Sequence, residues 1–138
     1  MNSETTELPE GRQPALRMIT MPADTNALGN IFGGWIMAHV DLAASIPAVR
    51  RAQGRVATVA VNSFEFKRPV FVGDLVSFYA DVVKVGRTSI TVFVECFSER
   101  NFGGAERGVV KVTEATLTFV AIDEKHQRRL VPPLPHSK

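Results

Sequence analysis

Apolar residues in this chain change their spacing once. From about residue 34 to 52 they recur at near-helical intervals, at Ile36, Val40, Ala43, Ala44 and Pro47. From Val56 onward they alternate with a period of two, in long runs bounded by tight turns. The runs predict strands over 57–66, 75–83, 88–97 and 109–122, with a short strand over 15–20 that Pro22 ends. One helix inserted after the first strand, then four consecutive antiparallel strands, predicts an α+β domain with a curved antiparallel sheet wrapped around one long central α-helix. That helix is apolar over most of its circumference, and a single sheet covers only one side. The other side, which carries Asp41, needs another body against it. Pro47 removes the bond to the Ala43 carbonyl and is expected to kink or end the regular helix about three turns in, although the polar Arg50-Arg51-Ala52-Gln53-Gly54 still reads as a helical tail.

At 138 residues, 45% of them hydrophobic and 22% charged, the chain suits a single domain with a real core. Residues 14–132 are assigned to that domain. Residues 1–13 form a loosely attached leader, and 133–138 are the end of a Pro-rich tail. The formal charge of +2 is spread over scattered Lys and Arg pairs rather than a stripe. It favours a small anionic ligand and argues against nucleic acid. No apolar run approaches the roughly 18 residues of a membrane span, and the polar N-terminus lacks the apolar core of a signal peptide, so a cytoplasmic location is expected. Cys96 is the only cysteine and reads as a core residue; no Cys/His spacing suggests a metal site.

Two features carry chemistry. A polar, glycine-bearing loop delivers the chain to Gly33 and Gly34, so the helix starts with unpaired backbone N–H groups and a partial positive charge suited to developing negative charge. The glycines let a substrate approach the backbone closely, although close helix packing would also explain them. Two turns later Asp41 stands among apolar neighbours, too deep in the helix to cap it, and such a carboxylate has either a buried partner or a catalytic task. His39, two residues before it, points elsewhere on the helix and reads as structural.

Several segments together closely resemble the YciA-type acyl-CoA thioesterases of the hotdog-fold superfamily. They are Met21-Pro22-Ala23-Asp24-Thr25-Asn26, Gly29-Asn30-Ile31-Phe32-Gly33-Gly34-Trp35-Ile36-Met37, Val40-Asp41 and Val85-Gly86-Arg87-Thr88-Ser89. The resemblance spans about residues 16–132. It implies hydrolysis of acyl-CoA to free acid and CoA without metal or cofactor, by homodimers often assembled as hexamers, here a trimer of dimers. It also implies that Asp41 is the catalytic base or nucleophile, its basicity raised by desolvation. Asn30 would add an amide donor or orient water, and Asn26 would assist or shape the loop. Ser45, one turn after Asp41, can hold the attacking water. For the CoA portion the resemblance points to Lys84, Gly86, Arg87, Thr88 and Ser89. Arg68 and Asn62 are further contacts, the latter through the backbone of its strand. Arg87 and Lys84 equally suit ordinary solvated hairpin charges, and Arg128-Arg129 a solvated tail.

Gly33 and Asp41 are eight residues apart, roughly 12 Å along one helix, whereas reacting groups must come within roughly 3–3.5 Å. The expectation is therefore a composite site: oxyanion donors from one protomer, Asp41 and Ser45 from its two-fold mate. Two other functions share these features. A hotdog dehydratase needs a histidine near the helix entrance, and residues 26–34 contain none. A non-catalytic acyl-CoA-binding or sensor domain would use the same pocket without needing Asp41.

Overall fold

The computed structural model describes residues 5–134; the first four residues of the expected leader and residues 135–138 of the tail lie outside them. The elements are β1 (Thr5–Thr6), β2 (Leu16–Ile19), a 3-10 turn (Pro22–Asp24), α1 (Gly33–Ala52), β3 (Val56–Phe66), β4 (Leu75–Val85), β5 (Ser89–Arg100) and β6 (Gly108–Ala121). All strand pairs are antiparallel, in the order β2-β4-β5-β6, and β3 pairs with the outer edge of β6 from Thr113 to Ala121. β3 is therefore not beside β4, its successor in the chain. The link 67–74 crosses the width of the sheet, as α1 does in the opposite sense.

The helix lies on the concave face and buries Ile36, Val40, Ala43, Ala44, Ala48 and Ala52 against Val76, Phe78, Val92, Val94, Leu117 and Phe119. Four fully buried alanines let the curved sheet close on the helix, and a larger side chain at any of them would overpack at about 1–3 kcal/mol. Pro47 does not end α1, which continues to Ala52. The helical tail read over 50–54 is helix as far as Ala52, and two of the five residues after Pro47 are buried alanines that keep the helix docked on the sheet. Burial pushes the Cys96 thiol well up, in keeping with a core residue.

The opposite face of α1 stays uncovered in the single chain, as its composition suggested. Met37, Leu42 and Val49 are exposed there, and so are Val59 and Val61 on the edge strand β3.

Both chain ends are tied down more than the sequence indicated. Thr5–Thr6 pair with Val109–Val110 of β6, and Leu8 packs on Tyr79, Phe97 and Val109 on the convex face. Arg12 pairs with Asp81 and Glu95 and stands over the Tyr79 ring at 5.2 Å. One cation facing two carboxylates and a ring anchors a segment whose composition alone reads as loose. Beside it, burial acts to raise Glu95, but bonds from Lys111 and Arg12 outweigh it and hold the carboxyl below its usual range. At the other end Arg129 is no solvated tail residue. Its Nη2 donates to Ala52 O at 2.9 Å and its Nε to Ile122 O at 3.0 Å, which docks the turn after β6 on the end of α1.

Candidate active site

The loop before α1 is held by its own polar side chains. Asp24 Oδ2 accepts from Met21 N–H at 3.1 Å. Asn26 Oδ1 accepts from Leu28 and Asn30 N–H at 2.9 and 3.1 Å. Of the two roles open to Asn26, the bonds in this chain are those of loop shaping. Gly29, at φ 88, supplies the left-handed turn between them. The chain then bridges Asn30 to Phe71, and Ile31 N–H donates to Val70 O at 2.8 Å, which fixes the loop to the link 67–74.

The helix that follows has no side-chain cap and no acidic residue in its first turn. Trp35 and Ile36 N–H both donate to Phe32 O, while Gly33 and Gly34 N–H have no partner among the described residues. Of the two, Gly33 lines a cleft of about 350 Å³, together with Asn30, Phe66, Arg68, Val70 and Thr113, among others. A Cβ on Gly33 would come within 3.3 Å of the Phe66 ring, whereas one on Gly34 would meet nothing within 4 Å. Asn26, Asn30, Gly33 and Arg68 thus gather at one place, with Lys67 beside them. Lys67 is paired with Glu65 at 3.3 Å, and Arg68 Nη1 donates to Lys67 O.

Asp41 and Ser45 lie elsewhere. Asp41 is half-buried on the uncovered face of α1, and its Oδ1 accepts from Thr58 Oγ1 of β3 at 2.7 Å. The apolar surroundings expected of it are replaced by this polar contact, because β3 rather than the core stands beside that turn of the helix. Ser45 turns its hydroxyl back onto Leu42 O at 2.6 Å. His39 Nδ1 lies 2.8 Å from Trp35 O and its ring stacks on Trp35 at 4.1 Å, a structural arrangement.

Of the expected CoA contacts, Arg68 lines the cleft, whereas those of the 84–89 hairpin and Asn62 do not. Gly86 N–H and Ser89 O close the hairpin at 2.8 Å; Lys84 and Arg87 are exposed, and Thr88 and Ser89 half-buried. Asn62 is exposed on β3, with its Oδ1 accepting from Thr118 Oγ1. Two cleft residues, Phe66 and Thr113, had no sequence signal, and neither had Thr58, the partner of Asp41. A strand threonine or phenylalanine is unremarkable until its neighbours are known. Thr113 Oγ1 is buried without a hydrogen-bond partner among the described residues, beside the bulge at Cys96/Phe97. No three His, Cys, Asp or Glu side chains gather as metal ligands among the described residues.

Comparison with known proteins places the chain in a family. Residues 28–101 match the thioesterase superfamily. The acyl-CoA thioester hydrolase YciA of Escherichia coli is 42% identical over 130 residues, covering 94% of this chain and 98% of that one. A hexameric hotdog fold thioesterase of Campylobacter jejuni is 39% identical, with TM-score 0.84 over 90% of this chain and 93% of that one. A hexameric broad specificity acyl-coenzyme A thioesterase, solved as an aspartate-to-alanine mutant, is 43% identical with TM-score 0.83 over 88% and 87%. An acyl-CoA hydrolase of Staphylococcus aureus, 30% identical, was solved with butyryl coenzyme A and coenzyme A (TM-score 0.76, over 89% and 74%). It was also solved with an aspartate and with a threonine changed to alanine, two residues spaced as Asp41 and Thr58 are, 17 positions apart. The chain belongs to the thioesterase superfamily and, within it, to the acyl-CoA thioester hydrolases of the YciA type.

Proposed function

We propose that this chain hydrolyses acyl-CoA thioesters to free acid and CoA in sites shared across a homodimer, three such dimers forming a hexamer. The observation that carries the reading is the separation of its two chemical halves. Gly33, whose N–H is bare, adjoins Phe66 at one end of β3, while Asp41 is bonded to Thr58 eight residues back, roughly 26 Å along an extended strand.

The outer edge of β3 has no partner among the described residues and carries the exposed Val59 and Val61. Two such edges pairing antiparallel about an axis near Asn62 would set Thr58 opposite the partner's Phe66. Asp41 of one protomer then reaches the cleft of the other, and the exposed Met37, Leu42 and Val49 gain cover. This supports one site from two chains.

In that site Thr58 holds Asp41 Oδ1, and Oδ2 takes a proton from water. The resulting hydroxide adds to the thioester carbon, and the carbonyl oxygen gains its charge facing Gly33 and Gly34 N–H. Collapse breaks the C–S bond, expels CoA thiolate and returns the proton to sulfur. No step draws on a metal or cofactor. Lys84, Arg87 and Arg68 are the cations proposed for the CoA phosphates.

Asp41→Ala should lower acyl-CoA hydrolysis about 10²-fold or more in a thiol-release assay, with assembly intact by light scattering. Unchanged turnover would remove Asp41 from the reaction. Mixing Asp41→Ala with Gly33→Pro subunits should restore activity, because one mixed site then holds both intact halves; no recovery would place both halves in a single protomer.

A further inference from the structure

We propose that Asp74 and Arg100, outside the cleft, are positioning residues that set where the oxyanion donors stand. This rests on the helix entrance being the site, as argued above.

The connection can be followed bond by bond. The Asp74 carboxylate is buried, and its Oδ2 accepts from Phe71 N–H at 3.0 Å and from Ser98 Oγ at 2.7 Å. Arg100 Nε faces the same oxygen at 3.7 Å, an ion pair beyond hydrogen-bond length. Arg100 Nη2 donates to Pro69 O at 2.6 Å, and the guanidinium lies over the Phe71 ring at 4.7 Å. One anion and one cation at the ends of β4 and β5 thus grip both sides of the segment 69–71. Thr20 Oγ1, donating to Phe71 O at 2.7 Å, closes it from the β2 side.

That segment holds the catalytic loop. Val70 O accepts from Ile31 N–H, and Phe71 bridges Asn30, two and three residues before Gly33. No side chain caps the helix start, so the backbone of Gly33 and Gly34 takes its position from this junction and from the loop bonds of Asn26. Arg100 and Asp74 do not line the cleft, so they act through the loop rather than by touching substrate. Displacement of catalytic groups by about 1 Å from a remote change can cost about 10²-fold in rate.

The test uses Asp74→Asn, which keeps an acceptor for Phe71 and Ser98 but removes the charge, and Arg100→Leu. The Arg100 side chain is 30% exposed against 6% for Asp74, so the second variant disturbs the buried structure less than the first. Each should lower kcat about 10-fold or more while KM stays within about twofold. Amide exchange should rise over residues 26–34 and stay unchanged in the core of β5 and β6. Arg100→Lys, which keeps the charge beside Asp74, should recover part of the loss. Unchanged exchange over 26–34, or a rate loss that follows a uniform rise in exchange, overturns the proposal. Raised exchange over 26–34 with unchanged kcat would keep the clamp and instead remove the helix entrance from the reaction.

Discussion

The two ends of α1 are built in opposite ways. At its C-terminus Gln53 takes the left-handed conformation (φ 54, ψ 45), and its N–H donates to Val49 O. Arg129 donates to Ala52 O, and Arg50 and Arg51 place positive charge in the last turn. Gly54 admits this closure: a Cβ there would lie 2.6 Å from Arg129 Nη2. At the N-terminus there is no cap and no first-turn acid, although a Ser, Thr, Asp or Asn in place of Phe32 would stabilise the helix by about 1 kcal/mol. The chain closes the C-terminal end of the helix and leaves open the end where Gly33 lines the cleft. On the proposed function, the missing cap belongs to the site, and the substrate oxygen would take the place a capping side chain would fill.

The sharpest way to break this comparison is to delete a donor at the open end. Proline is favoured at the first helical position, and Phe32 at ψ 137 already has the extended conformation that precedes it, so Gly33→Pro removes one N–H while the helix keeps its start. Turnover should fall about 10²-fold or more with the circular-dichroism spectrum unchanged; full activity would put the oxyanion donors elsewhere. At the closed end the expected effect is on stability alone. Arg129→Ala leaves Ala52 O and Ile122 O without their charged donor, a loss of about 1.5–3 kcal/mol. Tm should drop by roughly 4–10 °C while kcat of the folded enzyme holds; a matching loss of kcat would give the closed end a part in the chemistry. The smallest change sharpens the contrast further. Gln53→Gly relieves a left-handed non-glycine residue and should raise stability by about 0.5 kcal/mol in urea unfolding, with kinetics unaltered. A lower midpoint would mean that the Gln53 side chain itself supports the closure.

Much of the site was legible before the structure. The loop 22–32, the glycine pair and the lone helical carboxylate stand out by residue type and spacing, and Asn26, Asn30 and Gly33 do share one cleft. Asp41 was legible as a residue but not in its setting: Thr58 is a local neighbour of nothing that names it, and only the docking of β3 beside α1 joins the two. The leader that carries Arg12 read as loose and Arg129 as a solvated tail residue because their partners, Asp81 and Glu95 for one and two backbone carbonyls for the other, are remote in sequence. At Pro47 the lost helical bond is a local matter, and docking on the sheet holds the helix together to Ala52.

What the sequence determined by itself is the kind and order of the elements, because the spacing of apolar residues follows directly from backbone geometry, 3.6 residues per turn or two per pleat. Which strand lies beside which was decided by tertiary structure. A 20-residue α1 is roughly 30 Å long, enough to carry the chain across a sheet five strands wide and set β3 down at its far edge, on β6. From that placement follow the bond between Asp41 and Thr58 and the open strand edge, and both depend on distances through space that no local pattern encodes.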